Sequence, residues 1–142
     1  MKLELEGLLH HPEPPKNKYW SVEIPVLEIY TQGKTQSDAY RMAKDAIESL
    51  VEEKNFCVEV TPISDQKFKI TSDSYELFSR LILSRLRSEN KLTLLAMARK
   101  LKTPSINTFA RYEQGRAVPK VDTLEKLIQA INPNLEITLK VG

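Results

Sequence analysis

From residue 73 onward the apolar residues recur at helical spacing in four short runs, and each run is bounded by residues that cap or break helices. Leu77, Phe78, Leu81, Ile82, Leu83 and Leu86 make a stripe over 73–90. Thr93 is placed to cap a second helix over 94–101. Thr103 followed by Pro104 has the form of an N-cap and first helical residue for a third, running to about Gln114, with Gly115 at the position glycine takes after a helix. Asp122 and Glu125 form a capping box that opens a fourth helix, with Leu124, Leu127, Ile128 and Ile131 on its apolar side, and Asn132-Pro133-Asn134 stops it. Residues 135–141 alternate Leu135, Ile137, Leu139 and Val141, which predicts a closing strand.

The residues before this point follow a different rule. Residues 2–9 alternate with Leu3, Leu5 and Gly7 on one face and Glu4 and Glu6 on the other, as in a half-buried strand. A proline-rich loop over 10–18 leads to strands over 19–24, ended by Pro25, and 28–32, broken by Gly33. Helical spacing then interrupts: Ala39, Met42, Ala43, Ala46, Ile47, Leu50 and Val51 lie on one stripe of a helix over about 36–54, opened by Thr35 and Asp38. Its small alanines let it lie close on a sheet, and Gly33 permits a left-handed turn into Thr35. Strands over 56–62 and 67–71 follow, joined through Ser64-Asp65. The predicted fold class is α+β: a small antiparallel-type sheet backed by one helix over 1–72, then an all-α domain over 73–142 with a C-terminal strand.

Charge divides the same way. Residues 1–72 hold nine Lys/Arg against twelve Asp/Glu, and residues 73–142 hold twelve against seven. Within 77–120 there are ten basic residues, and Glu89 and Glu113 are the only acids. A basic block beside an acidic one suits a polyanion-binding half joined to a half with another task, although a solvated helical surface has the same composition. No apolar run approaches the roughly 20 residues of a membrane span, and the N-terminal residues alternate, unlike a signal-peptide core, so the expected location is cytoplasmic with no membrane partner. The single cysteine, Cys57, excludes an intrachain disulfide and is expected to be a small core residue.

Three short helices joined by tight turns inside the basic block are the ingredients of a helix-turn-helix. In that motif one helix lies across the phosphate backbone and the next enters the major groove with polar side chains outward. Over 104–116, Phe109, Tyr112 and Ile106 can face the core while Ser105, Asn107, Thr108 and Arg111 face out. Arginine can bind guanine O6 and N7 together, and asparagine can bind adenine N6 and N7. Ser105, Asn107, Thr108 and Arg111 are therefore the base-reading candidates, and Lys91, Thr93, Arg116 and Lys120 the phosphate-binding ones. The bland alternative is a three-helix cluster that binds protein.

The stretch 83–131 resembles the Cro/repressor (XRE-type) family, through Thr93-Leu-Leu-Ala-Met-Ala, Ala110-Arg-Tyr-Glu-Gln-Gly-Arg-Ala-Val-Pro119 and Asp122-Thr-Leu-Glu-Lys-Leu127. The resemblance implies a structural pair between Arg87 and Glu113 that holds the recognition helix without reading DNA. Two departures stand out: Lys102 occupies a turn position that is usually glycine, and the interval from Leu101 to Glu113 is one residue longer than usual. The register of Ser105 and Asn107 is open for that reason, while Arg111, counted back from Glu113, is firmer.

Residues 19–53 resemble the HicB antitoxins, through Tyr19-Trp-Ser-Val-Glu-Ile-Pro25, Thr31-Gln-Gly-Lys-Thr35, Asp38-Ala39 and Ala43-Lys-Asp-Ala-Ile-Glu48. That resemblance implies a degenerate RNase H-like sheet, a small basic ribonuclease toxin of the HicA type as partner, and a homodimer or higher homo-oligomer on a two-fold, double-stranded operator. The acidic first half is compatible with a basic partner. The expected function is thus an antitoxin that neutralises its toxin and represses its own operon. A stand-alone regulator whose sheet domain senses a ligand is the alternative. Catalysis is not expected, since Glu4, Glu6, Glu23 and Glu28 are more simply the wet face of a sheet. His10-His11 lacks further ligands at metal-binding spacing, and the four glycines are too scattered for a phosphate loop, so neither metal nor cofactor is expected.

Overall fold

The computed structural model describes residues 2–141, and they divide into two units, the first ending at Phe78 and the second beginning at Ser79. The first is a five-stranded sheet in the order β3-β2-β1-β5-β4. Its strands are β1 (Glu4–His10), β2 (Trp20–Ile24), β3 (Ile29–Gly33), β4 (Glu59–Pro62) and β5 (Lys67–Thr71). Every neighbouring pair is antiparallel, with Leu5 opposite Ile70, Leu9 opposite Val22 and Ile24 opposite Ile29. Because side chains alternate across a strand, that register gathers Leu5, Leu9, Val22, Ile24, Phe68 and Ile70 on one buried face. The other face carries charges that pair across strands, Lys67 with Glu6 at 3.4 Å and Lys69 with Glu4 at 3.7 Å. The chain is α+β, as its two periodicities predict.

Helix α1 (Gln36–Glu48) covers the apolar face through Ala39, Ala43 and Ile47. Thr35 caps it, its hydroxyl accepting from the Asp38 N–H at 3.0 Å. Gly33 is required for a reason other than the one expected. It does not take a left-handed conformation. A Cβ there would collide with the backbone of Asp38 and Ala39, so the first turn of α1 can sit against β3 only over a residue with no side chain. The helix also stops at Glu48, short of the predicted 54, leaving Leu50 exposed. The stop has a polar cause. The Glu48 carboxylate accepts from the Lys44 ammonium at 2.8 Å and the Val58 N–H at 2.9 Å, and the same ammonium donates to the Val58 carbonyl at 2.8 Å. These bonds fold the returning chain back along the helix. Phe56 and Val58 are buried and Cys57 between them is exposed, so the cysteine is not the core residue it was expected to be.

Burial alone pushes the Glu48 carboxyl up, but the bonds from Lys44 and Val58 and the Lys44 charge outweigh it and hold the group below its ordinary value of 4.5. A carboxyl with a folded pKa below its unfolded one adds stability above the unfolded value and loses that contribution as pH falls through the folded one. Glu48→Gln is accordingly expected to lower the thermal midpoint at neutral pH, with the deficit shrinking in acid as pH falls through the folded value and the wild-type carboxyl loses its charge too. An identical deficit at both pH values would mean that the charge contributes nothing.

The described part of the second unit is helical: the remainder of α2 (Tyr75–Glu89), then α3 (Leu94–Lys100), α4 (Asn107–Glu113) and α5 (Val121–Ile131). Its core is built from Leu83 and Leu86 of α2, Met97 of α3, Phe109 of α4 and Leu124 and Leu127 of α5. Three of these helices end alike. After α2 the Leu92 N–H reaches the Arg87 carbonyl (3.1 Å) and the Lys91 N–H that of Ser88 (3.0 Å). After α3 the pairs are Thr103 to Ala98 and Lys102 to Arg99, and after α4 Arg116 to Arg111 and Gly115 to Tyr112. This is the Schellman pattern, which needs a left-handed residue just past the helix. Lys91 (φ 54°), Lys102 (φ 55°) and Gly115 (φ 77°) supply it. At 115 a Cβ would also lie 2.5 Å from Nη1 of Arg80, so the end of that side chain would have to shift.

The closing strand predicted over 135–141 is not formed among the described residues. The described remainder of its unit is helix and loop, so that unit offers it no strand to share hydrogen bonds with. The segment is held instead by the Ile137 N–H, which donates to the Glu125 carboxylate of α5 at 2.8 Å.

Candidate nucleic-acid interface

Helix α4 begins three residues later than the capping signal predicted, at Asn107 instead of Pro104. Lys102 is left-handed, and a residue before proline is driven out of helical space, so Thr103 and Pro104 remain outside the helix. Ser105 then turns the chain locally: its hydroxyl accepts from the Asn107 N–H at 3.1 Å, the kind of bond that competes with a helix. Thr103 does not cap α4, and its hydroxyl accepts from the Ser105 N–H at 3.5 Å. Its hydroxyl meets that of Thr108 at 3.0 Å and braces the extended turn, the one-residue excess noted in the sequence.

This late start sets which side chains face out. Phe109 and Ala110 are buried. Asn107, Arg111 and Gln114, at successive spacings of four and three, are exposed on the other side. Ser105 is exposed beside them, whereas Thr108 is half-buried with its hydroxyl engaged. Ile106, expected to face the core, is 49% exposed at the helix N-cap. Ile106 was assigned to the core because a helix started at 104 places it one turn before Phe109; Gln114 was passed over although it shares a helical face with Arg111 and Asn107. Counting back from Gln114 in steps of three and then four reaches Arg111 and Asn107.

The helix is held at its far end by the pair that the sequence implied. Arg87 Nε donates to one Glu113 carboxylate oxygen at 2.8 Å and Nη2 to the other at 2.7 Å, while Nη1 donates to the Leu92 carbonyl at 2.8 Å. Both donors of the guanidinium edge thus meet both acceptors in the planar fork that distinguishes arginine from lysine. The side chains are 25% and 12% exposed, so the pair is partly withdrawn from water. One residue of α2 therefore ties the end of α4 to the α2–α3 turn.

Around this helix, Lys91 and Thr93 lie exposed at the α2–α3 turn, and Arg116 and Lys120 are exposed between α4 and α5. Thr93 is an N-cap, its hydroxyl accepting from the Ala96 N–H at 3.0 Å, so the side chain is already in use within the fold. Elsewhere, His10 approaches Glu23 at 3.2 Å, and the His11 ring nitrogen meets the Asp65 carbonyl at 2.8 Å while its ring packs against that of Trp20 at 4.6 Å, tilted by 46°. The two rings thus have separate partners. No helix of the described residues is long and apolar enough to cross a membrane.

Residues 82–132 match the family model of a helix-turn-helix domain. The match spans most of α2, all of α3, α4 and α5, and the Arg87–Glu113 clamp. The second unit therefore carries a DNA-binding helix-turn-helix. No curated protein matches the chain.

Proposed function

We propose that the chain is a transcription regulator that represses by occupying an operator duplex, with α4 in the major groove. The observation that carries this reading is the row Asn107, Arg111 and Gln114, exposed on a helix whose opposite face is core and whose end is clamped by Arg87. Arg111 and Asn107 supply the bidentate contacts to guanine and adenine, and Ser105 an adaptable hydroxyl. Thr108 contributes by fixing the turn that presents them. Lys91, Arg116 and Lys120 meet phosphates, joined at the start of α3 by Thr93. The sheet domain, 1–72, takes the partner-binding role and the helical domain, 73–142, the DNA-binding role.

Arg111→Ala is expected to cost about 1–3 kcal/mol on the preferred operator and to abolish discrimination at one base pair. Lys91→Ala should weaken every sequence alike and flatten the dependence of log K on log salt by about one unit. Binding titrations across a salt series on a selected site and its single-base variants separate the two. An Arg111→Ala protein that keeps the full preference removes Arg111 from base reading.

At finer grain, the protein is an antitoxin and autorepressor whose sheet domain masks a small basic ribonuclease of the HicA type. The acid excess of residues 1–72 and the Trp-strand, Thr-Gln-Gly turn and alanine-rich helix of the HicB pattern support this reading. It predicts a neighbouring reading frame for a basic protein of under about 100 residues that co-purifies with this one. Separate purification of the two products at equimolar expression would remove the antitoxin role and leave the regulator standing. The regulator acts as a homodimer, placing two copies of α4 in successive major grooves of a two-fold site, about 34 Å apart.

A further inference from the structure

We propose that Ile106 reads a thymine, by packing against the C5-methyl group that this base carries into the major groove. The proposal rests on the regulator reading above and extends it, because Ser105, Asn107 and Arg111 recognise bases through hydrogen bonds alone.

The first observation is that Ile106 serves the fold in neither of the ways open to it. It is the N-cap of α4, a position that favours Ser, Thr, Asp or Asn and that isoleucine fills poorly. Its side chain makes no capping bond. Nor is it core, since the residue is 49% exposed while Phe109 and Ala110, three and four positions on, are buried.

The second observation is that the turn holds it there. Ile106 has helical dihedrals, φ −68° and ψ −15°. Around it the Thr103 and Thr108 hydroxyls meet at 3.0 Å, and the Ser105 hydroxyl accepts from the Asn107 N–H at 3.1 Å. The Thr108 N–H reaches the Ser105 carbonyl at 3.4 Å. Three polar side chains of the turn thus help to set its shape. Ile106 and Asn107 are exposed neighbours, and the Asn107 amide makes no hydrogen bond among the described residues.

The third observation is the chemistry of the surface that such a helix meets. The first residues of a recognition helix are those that contact base edges. The major groove offers them ring-nitrogen and carbonyl acceptors, amino donors and one apolar group, the thymine methyl. An isoleucine laid over the polar groups, or over a phosphate, would take them from water with nothing in return. Laid over the methyl, it buries apolar surface on both sides. Asn107, the next residue, suits adenine. The two adjacent side chains therefore select A·T pairs together, while Arg111, four positions on, selects G·C.

The test uses the full chain and a duplex selected by the wild type from a random library. Each thymine of that duplex is replaced singly by deoxyuridine, which keeps every hydrogen-bonding group and lacks only the methyl. At one thymine of each half-site the wild type is expected to lose about fourfold in affinity, the worth of one buried methyl. Ile106→Ala should bind the thymine and deoxyuridine duplexes equally. Arg111→Ala, though weaker throughout, should keep the fourfold difference. Ile106→Val, one methylene shorter, should keep a smaller difference, so the test does not hang on whether the alanine variant folds. The inference is overturned if no thymine responds to loss of its methyl, or if the deoxyuridine penalty survives in Ile106→Ala. It is overturned also if Ile106→Ala sediments at half the wild-type mass, which would make the residue a contact between copies. A wild type that selects no duplex would remove the regulator reading and this inference together, whereas the other outcomes remove the inference alone.

Discussion

Arg87→Ala is expected to destabilise the helical unit by about 3 kcal/mol, the lower part of the range for breaking a buried pair. The size follows from what is left behind. Both Glu113 oxygens bond to Arg87, and the Glu113 side chain is only 12% exposed, so the variant strands a carboxylate that water reaches poorly. The Leu92 carbonyl loses its partner too. Arg87→Lys should recover little, because an ammonium cannot bridge two oxygens and a carbonyl with the same fork. The measurement is urea unfolding followed by a signal specific to the helices, with the midpoint moved and the slope unchanged. DNA binding should fall as well, since α4 loses its anchor, yet the preferred base sequence should not change. Arg111→Ala is predicted to do the reverse, sparing stability and changing preference. If Arg87→Ala altered preference while leaving stability intact, the arginine would be a reader and the clamp reading would be wrong.

The second large effect belongs to the sheet. Phe68→Ala should cost about 3–5 kcal/mol. The ring is fully buried, Tyr40 meets it edge-on at 5.3 Å, and it lies directly across Gly7 of the neighbouring strand, where any Cβ would collide with the ring atoms. Glycine at 7 is thus the other half of the phenylalanine's site. Gly7→Ala alone should cost about 1–3 kcal/mol through overpacking. Combined with Phe68→Leu, it should cost less than the two changes added together, because the smaller side chain opens the space that the new methyl needs. Denaturation midpoints for the four proteins form a cycle, and strict additivity would show that ring and glycine do not interlock.

These two sites also show what the sequence makes legible. Alternation marked Leu3, Leu5 and Gly7 as one face and so placed the sheet core, and helical spacing placed Ala39, Ala43 and Ile47 on it. Arg87 and Glu113 were paired by family likeness, which carries a three-dimensional contact that spacing alone does not encode. What stayed hidden depended on contacts between residues distant in sequence. Helix α1 stops at Glu48 because its carboxylate meets Val58, ten positions on. Helix α4 starts late because the Thr103 and Thr108 hydroxyls and the Ser105 side chain stabilise an irregular turn, against a Thr-Pro pair that favours a helix start by itself. That shift left Ile106 outside the helix and exposed. The strand expected over 135–141 is not formed, because alternation marks which residues could share a face and does not supply a neighbouring strand.

The left-handed residues after α2 and α3 carry one more implication. Glycine would hold both turns with less strain, since a side chain there costs on the order of 1–2 kcal/mol. Both positions hold lysine, and both lie in the segment richest in positive charge. The domain keeps cations at two corners where its backbone would prefer none, an arrangement that favours grip on a polyanion over thermal endurance and leaves room to make it sturdier at the expense of its hold.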